Sequence, residues 1–404
     1  MTYEGEMLAT GFDSIDFQQQ FWRSLSAVWN GCADIGECFA TAGRIADGDI
    51  DSWSAAWRAT AERVQAGAAE SRGRGHRVSA RDGYLRATEY HRQAIWFRRD
   101  DLDNADLQRG LADLRDCFGA AAALADAPAE QVEIPFEGGS LPGWLHRPDD
   151  SGAARPVLLV PGGYDSFAEE MYGMLGRGGV RRGYAVLTFD APGQGTALIA
   201  RRLYMRPDFE TVVAPVIDWL AAQPGIDPAR IVLCGFSFGG YLAPRAAASE
   251  RRLAALVANP GQVDIGSGLA SRLPPPIAEM WHRGDRAGMD AAFAELFARD
   301  PMRRFYFRSR MAVHGIDSVF DYCNELQRFT LAGRLGDIAC PTLVLDNPGD
   351  TVSVVGNAFH DGLTCDKTLV SMVAADGYGA HCQAGATAYM ERILFDWLDE
   401  RLAA

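Results

Sequence analysis

Apolar residues recur at every third or fourth position through the first part of the chain and in short unbroken runs through the rest. The two rhythms predict different structures. Up to about residue 128 the spacing is helical: Phe17, Phe21 and Leu25 lie four apart, Trp53 and Trp57 repeat the interval, and Leu107, Leu111 and Leu114 continue it. Asp51-Ser52 supplies a helix start ahead of Trp53, and Gly73, Gly75 and Gly83 read as breaks. Trp53 and Trp57 fit either a pocket wall or packing between helices, and the helical interval favours packing, as it does for Tyr84, Tyr90, His76 and His91.

From Glu130 the rhythm shortens. Residues 132–136 and 143–147 read as strands about the turn Glu137-Gly138-Gly139, and 157–160 is a fully apolar third strand. Further strands fall at 185–189, 231–234, 255–258, 342–345 and 369–373, with an amphipathic helix at 212–222, a small-residue helix from about Gly240 and a closing helix from about Ala386. Strands alternating with helices predict a mostly parallel sheet covered on both faces, an α/β fold. Residues 259–335 are irregular and helical, include Pro274-Pro275-Pro276, and read as an insertion over the strand tips. Its aromatics, among them Trp281, Phe305, Tyr306 and Tyr322, serve either as core or as a substrate-lining lid. The expected division is a helical N-terminal domain over 1–128 and a catalytic α/β domain over 129–404.

Composition narrows the function classes. The chain has 404 residues, enough for one large domain and a smaller one, and 48% hydrophobic with 23% charged residues is ordinary for a globular protein. A net charge of −14 disfavours nucleic acid and anionic membrane, since phosphate binding needs basic patches. No apolar run nears the roughly 18 residues of a membrane span, and the opening MTYEGEMLATGFDS lacks a basic region before an apolar core, so a cytoplasmic protein acting on a small molecule is expected. The eight cysteines form no C-x-x-C pair and read as reduced core residues, which leaves no zinc site and no expected metal. The loop Asp190 to Gly195 lacks both the G-K-[ST] ending and the third glycine of a dinucleotide fingerprint, so no nucleotide cofactor is expected.

The chemistry centres on Gly235-Phe236-Ser237-Phe238-Gly239. A G-x-S-x-G between strand and helix is a nucleophile elbow, in which glycines let strand and helix approach while the serine sits exposed in a strained turn. In a chain with 43 glycines the pattern alone is weak, and its context has to support it. A serine hydroxyl needs a base to take its proton and an acid to orient that base. His381 follows the last strand on a glycine-containing loop, whereas its rival His360 lies in a predicted helix. For the acid, Asp350 stands past the turn Asn347-Pro348-Gly349 and is preferred to Asp346 at the strand end. The backbone N–H of Phe238 and one from Gly163 or Tyr164, on the glycine-rich bend after the third strand, are the candidate oxyanion donors.

The run Ser237 to Ala248, SFGGYLAPRAAA, resembles the α/β-hydrolase family that includes 2,6-dihydroxypseudooxynicotine hydrolase and fungal hydrolases that shorten polyketide pigment precursors, related to the FrsA-like esterases. The likeness extends to Gly163-Tyr164-Asp165-Ser166, Glu169-Glu170-Met171-Tyr172, Arg182-Gly183-Tyr184, Ala380-His381-Cys382 and, in the first part, Asp51-Ser52-Trp53 and Ser79 to Ala87. The resemblance implies the α/β-hydrolase fold with an N-terminal helical cap, an active site between the two, often a homodimer, and cleavage of a carbon–carbon or ester bond beside a carbonyl. Phe236 and Phe238 depart from the polar residue and leucine that flank the serine in many relatives, and the likeness does not place the extra acidic residue that the pseudooxynicotine enzyme uses. The leading expectation is therefore a serine hydrolase acting on an aromatic or polyketide-like small molecule. An acyltransferase or cyclase with the same triad, and a silent ligand-binding fold, stand beside it.

Overall fold

The computed structural model describes residues 11–127, 129–270, 272–350, 352 and 358–402. Residues 1–10, which carry most of the opening read above for a secretion signal, and residue 128 lie outside them. Five helices come first: α1 (Ile15–Ser26), α2 (Ile35–Ala42), α3 (Ile50–Gly73), α4 (Arg77–Trp96) and α5 (Ala105–Ala122). Each of α1, α2, α3 and α5 starts on a side chain that accepts a first-turn N–H, from Ser14, Asp34, Asp49 and Asn104 respectively. The cap of α3 is thus Asp49, two residues ahead of the expected Asp51-Ser52. Trp53 and Trp57 are fully buried among Phe12, Phe17, Tyr90 and Phe97, so they are core and not pocket wall.

One expected break is absent. Gly83 lies inside α4, where a Cβ would meet the Cβ of Ala68 on α3 at 2.8 Å. The residue is small because two helices touch there, and Gly73 and Gly75 alone mark the chain reversal.

The rest of the chain builds an eight-stranded sheet in the order β1-β2-β4-β3-β5-β6-β7-β8, where β1 is Ala129–Phe136, β2 Gly139–His146, β3 Arg155–Pro161, β4 Ala185–Phe189, β5 Ile226–Phe236, β6 Leu253–Asn259, β7 Thr342–Asp346 and β8 Lys367–Ser371. β1, β2 and β4 pair antiparallel, and every pairing from β4 to β8 is parallel. The central parallel strands are buried on both faces, which is why they read as unbroken apolar runs. β8 begins two residues earlier than its apolar run: Lys367 pairs with Thr342, and its ammonium donates to the carbonyls of His360 and Leu363 at 2.8 and 2.9 Å. An edge strand tolerates that polar start.

Five helices between β6 and β7 (Ile265–Ala270, Pro275–His282, Arg286–Arg299, Pro301–His314 and Val319–Leu326) occupy the stretch read as an insertion. Phe305 from this group packs on Trp96 and Phe97, with ring centroids 5.3 and 5.0 Å away, so the insertion meets the N-terminal helices. Among the described residues, no helix is long and apolar enough to cross a membrane.

Candidate active site

β5 ends at Phe236 and a helix, Gly239–Ala247, starts three residues later, leaving Ser237 at the turn with φ of +57°. That left-handed backbone is strained for a serine and holds only because the surroundings fix it. The Ser237 N–H donates to the Asn259 carbonyl at 2.8 Å, and the Ser237 carbonyl accepts from Gly240 N–H at 2.8 Å and from Gln262 Nε2 at 2.6 Å. A Cβ on Gly235 would lie 2.0 Å from the Gly239 carbonyl oxygen, and one on Gly240 only 1.7 Å from that of Pro260. Gly240, outside the five-residue motif, is therefore as constrained as the motif glycines. The Asn259-Pro260-Gly261 segment, at the end of the neighbouring strand, is what grips the elbow.

His381 reaches the serine, and Asp350 reaches His381. His381 Nε2 lies 2.8 Å from Ser237 Oγ, and His381 Nδ1 lies 2.7 Å from Asp350 Oδ2. The carboxylate contact assigns the proton to Nδ1 and leaves Nε2 to accept from the hydroxyl. Asp350 is almost wholly buried, while about a fifth of the His381 side chain stays accessible. Burial opposes the imidazolium, the Cys382 sulfur and the Asp350 carboxylate favour it, and the balance raises His381 well above an ordinary histidine. Asn347 joins the acid turn to the histidine loop by donating to the carbonyls of Gly379 and Ala380 at 2.7 and 3.2 Å. The rivals lie elsewhere: Asp346 is buried at the end of β7, and His360 contacts its neighbour Asp361.

Opposite the histidine runs the bend after β3. The Gly163 N–H donates to Ser166 Oγ at 2.8 Å, which takes it out of service as an oxyanion donor. The N–H groups of Phe238 and Tyr164 meet no acceptor among the described residues. Gly163 is needed for approach, since a Cβ there would press on Phe236 O at 2.9 Å and Ser237 Cβ at 3.0 Å. Gln194, from the loop Asp190 to Gly195, braces this bend by donating to the carbonyls of Gly162 and Gly163 at 2.6 and 2.8 Å. Among the described residues no group of three or more His, Cys, Asp or Glu could hold a metal ion.

Comparison with known proteins matches residues 157–387 to the alpha/beta hydrolase family and residues 47–265 to the FrsA-like esterase family, the latter spanning helices and sheet together. The chain belongs to the α/β-hydrolase family. Among curated relatives, Hydrolase LUC6 of Fusarium sp is 34% identical, with 96% of this chain and 97% of the relative aligned. The 20-hydroxy-prefusarin hydrolase FUS2 of Gibberella moniliformis is 33% identical over 97% of this chain and 98% of its own. The crystal structure of 2,6-dihydroxy-pseudo-oxynicotine hydrolase superposes with a TM-score of 0.72 at 22% identity, covering 94% and 96% of the two chains, which establishes the shared fold.

In this α/β-hydrolase the N-terminal helices hold the bend beside the serine. Asp165, next to Tyr164, pairs with Arg23 of α1 at 3.0 Å and with Arg99 at 3.5 Å, and accepts from Trp96 Nε1 of α4 at 3.1 Å. Arg23 also forks onto Glu170, and Arg92 of α4 pairs with Glu89 at 2.6 Å. A second tie lies at the fully buried Glu391, which accepts from Asn30 Nδ2 at 2.8 Å, Trp29 Nε1 at 3.1 Å and Arg182 at 3.1 Å.

Proposed function

We propose that this α/β-hydrolase is a serine hydrolase that cleaves a carbon–carbon or ester bond beside a carbonyl in an aromatic or polyketide-like small molecule. The hydrogen-bonded chain from Ser237 through His381 to Asp350 carries this reading. Ser237 Oγ attacks the carbonyl carbon while His381 Nε2 takes its proton, and Asp350 holds the imidazole and balances its charge. The N–H groups of Phe238 and Tyr164 receive the oxyanion. Collapse of the tetrahedral centre breaks the bond to the leaving carbon or oxygen, which takes the proton from His381, and water then releases the acid by the reverse sequence of proton transfers. The 20-hydroxy-prefusarin hydrolase among the relatives supports a small-molecule substrate of secondary metabolism.

The helices at 15–122 act in this reading as a cap over a catalytic unit, and the enzyme works as a homodimer in the cytoplasm, a setting in keeping with eight cysteines free of disulfides. The decisive test is labelling by a fluorophosphonate probe together with turnover of activated esters. Ser237→Ala removes both and His381→Ala reduces both by orders of magnitude. Full ester turnover by Ser237→Ala sinks the assignment. The apolar wall around the serine, where the Phe238 ring meets Tyr164 at 4.7 Å and Phe329 at 5.5 Å, favours a second reading, acyl transfer or cyclisation with water excluded. Reaction in heavy-oxygen water separates the two, because hydrolysis alone puts solvent oxygen in the acid product.

A further inference from the structure

Beyond Tyr164 lies a positive charge that the proposed chemistry does not use. The Tyr164 hydroxyl oxygen sits 2.6 Å from His314 Nε2, 3.3 Å from the Tyr322 hydroxyl and 3.4 Å from the Arg310 carbonyl, so Tyr164 links the serine side to the helix Pro301–His314. The Arg310 guanidinium packs 3.5 Å over the Tyr306 ring and donates once, to the Tyr306 carbonyl at 3.1 Å. Among the described residues no carboxylate lies within salt-bridge reach of it. Burial holds Asp16 of α1 toward its protonated form against the pull of Arg310 and Arg303.

Asp165 is the acid whose charge favours the Arg310 guanidinium, and it is shared. Asp165 is committed to Arg23 and Arg99, and Glu170 to Arg23. Burial, opposed by Asp165 and reinforced by the guanidinium groups of Arg23, Arg310 and Arg92, pulls Arg99 down to about 10. In a chain of net charge −14, a crowded set of arginines at the junction of cap and insertion calls for a further anion. Arg310 and Tyr306 nonetheless keep accessible surface, as do Tyr164, Ser237 and His381.

We propose that Arg310, backed by Arg99, binds a carboxylate that the substrate carries at the end remote from the carbonyl attacked by Ser237. The planar fork of a guanidinium matches a carboxylate with two parallel hydrogen bonds, which a neutral ester or ketone does not offer. His314 is held neutral, its value lowered to about 3 by burial and next by Arg328, so it adds no competing charge. The inference rests on the serine reading for its orientation.

The test is a series of 4-nitrophenyl half-esters of dicarboxylic acids, adipic to sebacic, each beside its methyl-capped twin of the same length. The wild type should favour the free acid at one or two chain lengths by about tenfold or more in kcat/KM, the worth of a charge-assisted bond. Arg310→Met should bring the ratio of acid to methyl ester close to one, and Arg310→Lys should keep part of it. Arg308→Met, at an exposed arginine on the same helix, should retain it. In a Ser237→Ala background, which reads binding without turnover, the acid should outbind its twin and the added Arg310→Met should erase the difference. A preference for the methyl ester at every length, or a preference that survives Arg310→Met, overturns the subsite. Ester turnover by Ser237→Ala would instead overturn the serine chemistry, so the two failures are distinct.

Discussion

Replacing Asp165 by asparagine keeps the side chain's shape and removes its charge from between two arginines of the helical region. The carboxylate lies 3.0 Å from Arg23 and 3.5 Å from Arg99, and about a quarter of its side chain is accessible. Burial raises this carboxyl, but Arg23 and Arg99 outweigh burial and hold it well below the usual carboxylate range. Removing one member of a buried pair destabilises by about 3–5 kcal/mol, because the partner's charge is left uncompensated. Arg23 keeps Glu170 and Asp165 is partly wetted, so the lower end, about 3 kcal/mol, is expected at neutral pH. Urea denaturation at constant slope reads the change from the midpoint shift. Arg109→Ala, which breaks an exposed pair with Asp106, serves as control and should change stability by under about 1 kcal/mol. Because the folded carboxyl is depressed, its contribution is present above the unfolded value near about 3.9 and fades as pH falls through and below it, so the two proteins should converge in acid. Asp165→Asn should also lower kcat with KM little changed, by at most the hundred- to thousand-fold that losing an oxyanion donor costs. A stability loss under about 1 kcal/mol at pH 7 would refute the ion-pair reasoning.

The raised His381 places the acid limb of the kcat/KM profile above pH 6.5: activity rises with pH as the imidazole loses its proton, and a limb below 6 contradicts the assignment of His381 as base. Asp350→Asn should cut kcat on the order of 10⁴-fold, since the amide no longer fixes the Nδ1 proton. Gly240→Ala should destabilise by about 3 kcal/mol or more, because its Cβ would fall 1.7 Å from the Pro260 carbonyl oxygen; Gly67→Ala, in open space on α3, should gain up to about 1 kcal/mol by the same urea measurement.

Much of the fold is legible because buried parallel strands have a local signature. β4 falls on its expected residues, and β3, β5, β6 and β7 are recovered with ends one to five residues too short, since an apolar run marks burial and not the ladder that continues past it. The candidate site is legible for a related reason. Ser237 announces itself through glycines whose missing side chains are a local requirement, and Asp350 and His381 follow from chain order and turn chemistry. Gly83 reads as a break but lies inside α4, because a helix contact and a helix break ask for the same residue, and one sequence does not say which neighbour is near.

What stayed hidden has its partner far along the chain. Arg23 meets Glu170 across 147 positions, Asn259 meets Gln383 across 124, and Asn30 meets Glu391 across 361. Helical periodicity predicts buried faces among the N-terminal helices, but hydrophobic spacing is blind to charged residues on those faces such as Arg23, Glu89 and Arg92. Their burial is the reverse signal: charges removed from water persist only where they are paired, and these pairs converge on the bend that carries Gly163, Tyr164 and Asp165. The helical region is therefore coupled to the site through electrostatics and not through its apolar stripe alone. A helical region held by apolar contact alone would lose grip evenly when any core residue is trimmed. This one should lose its hold on Tyr164 selectively, when a single carboxylate is neutralised.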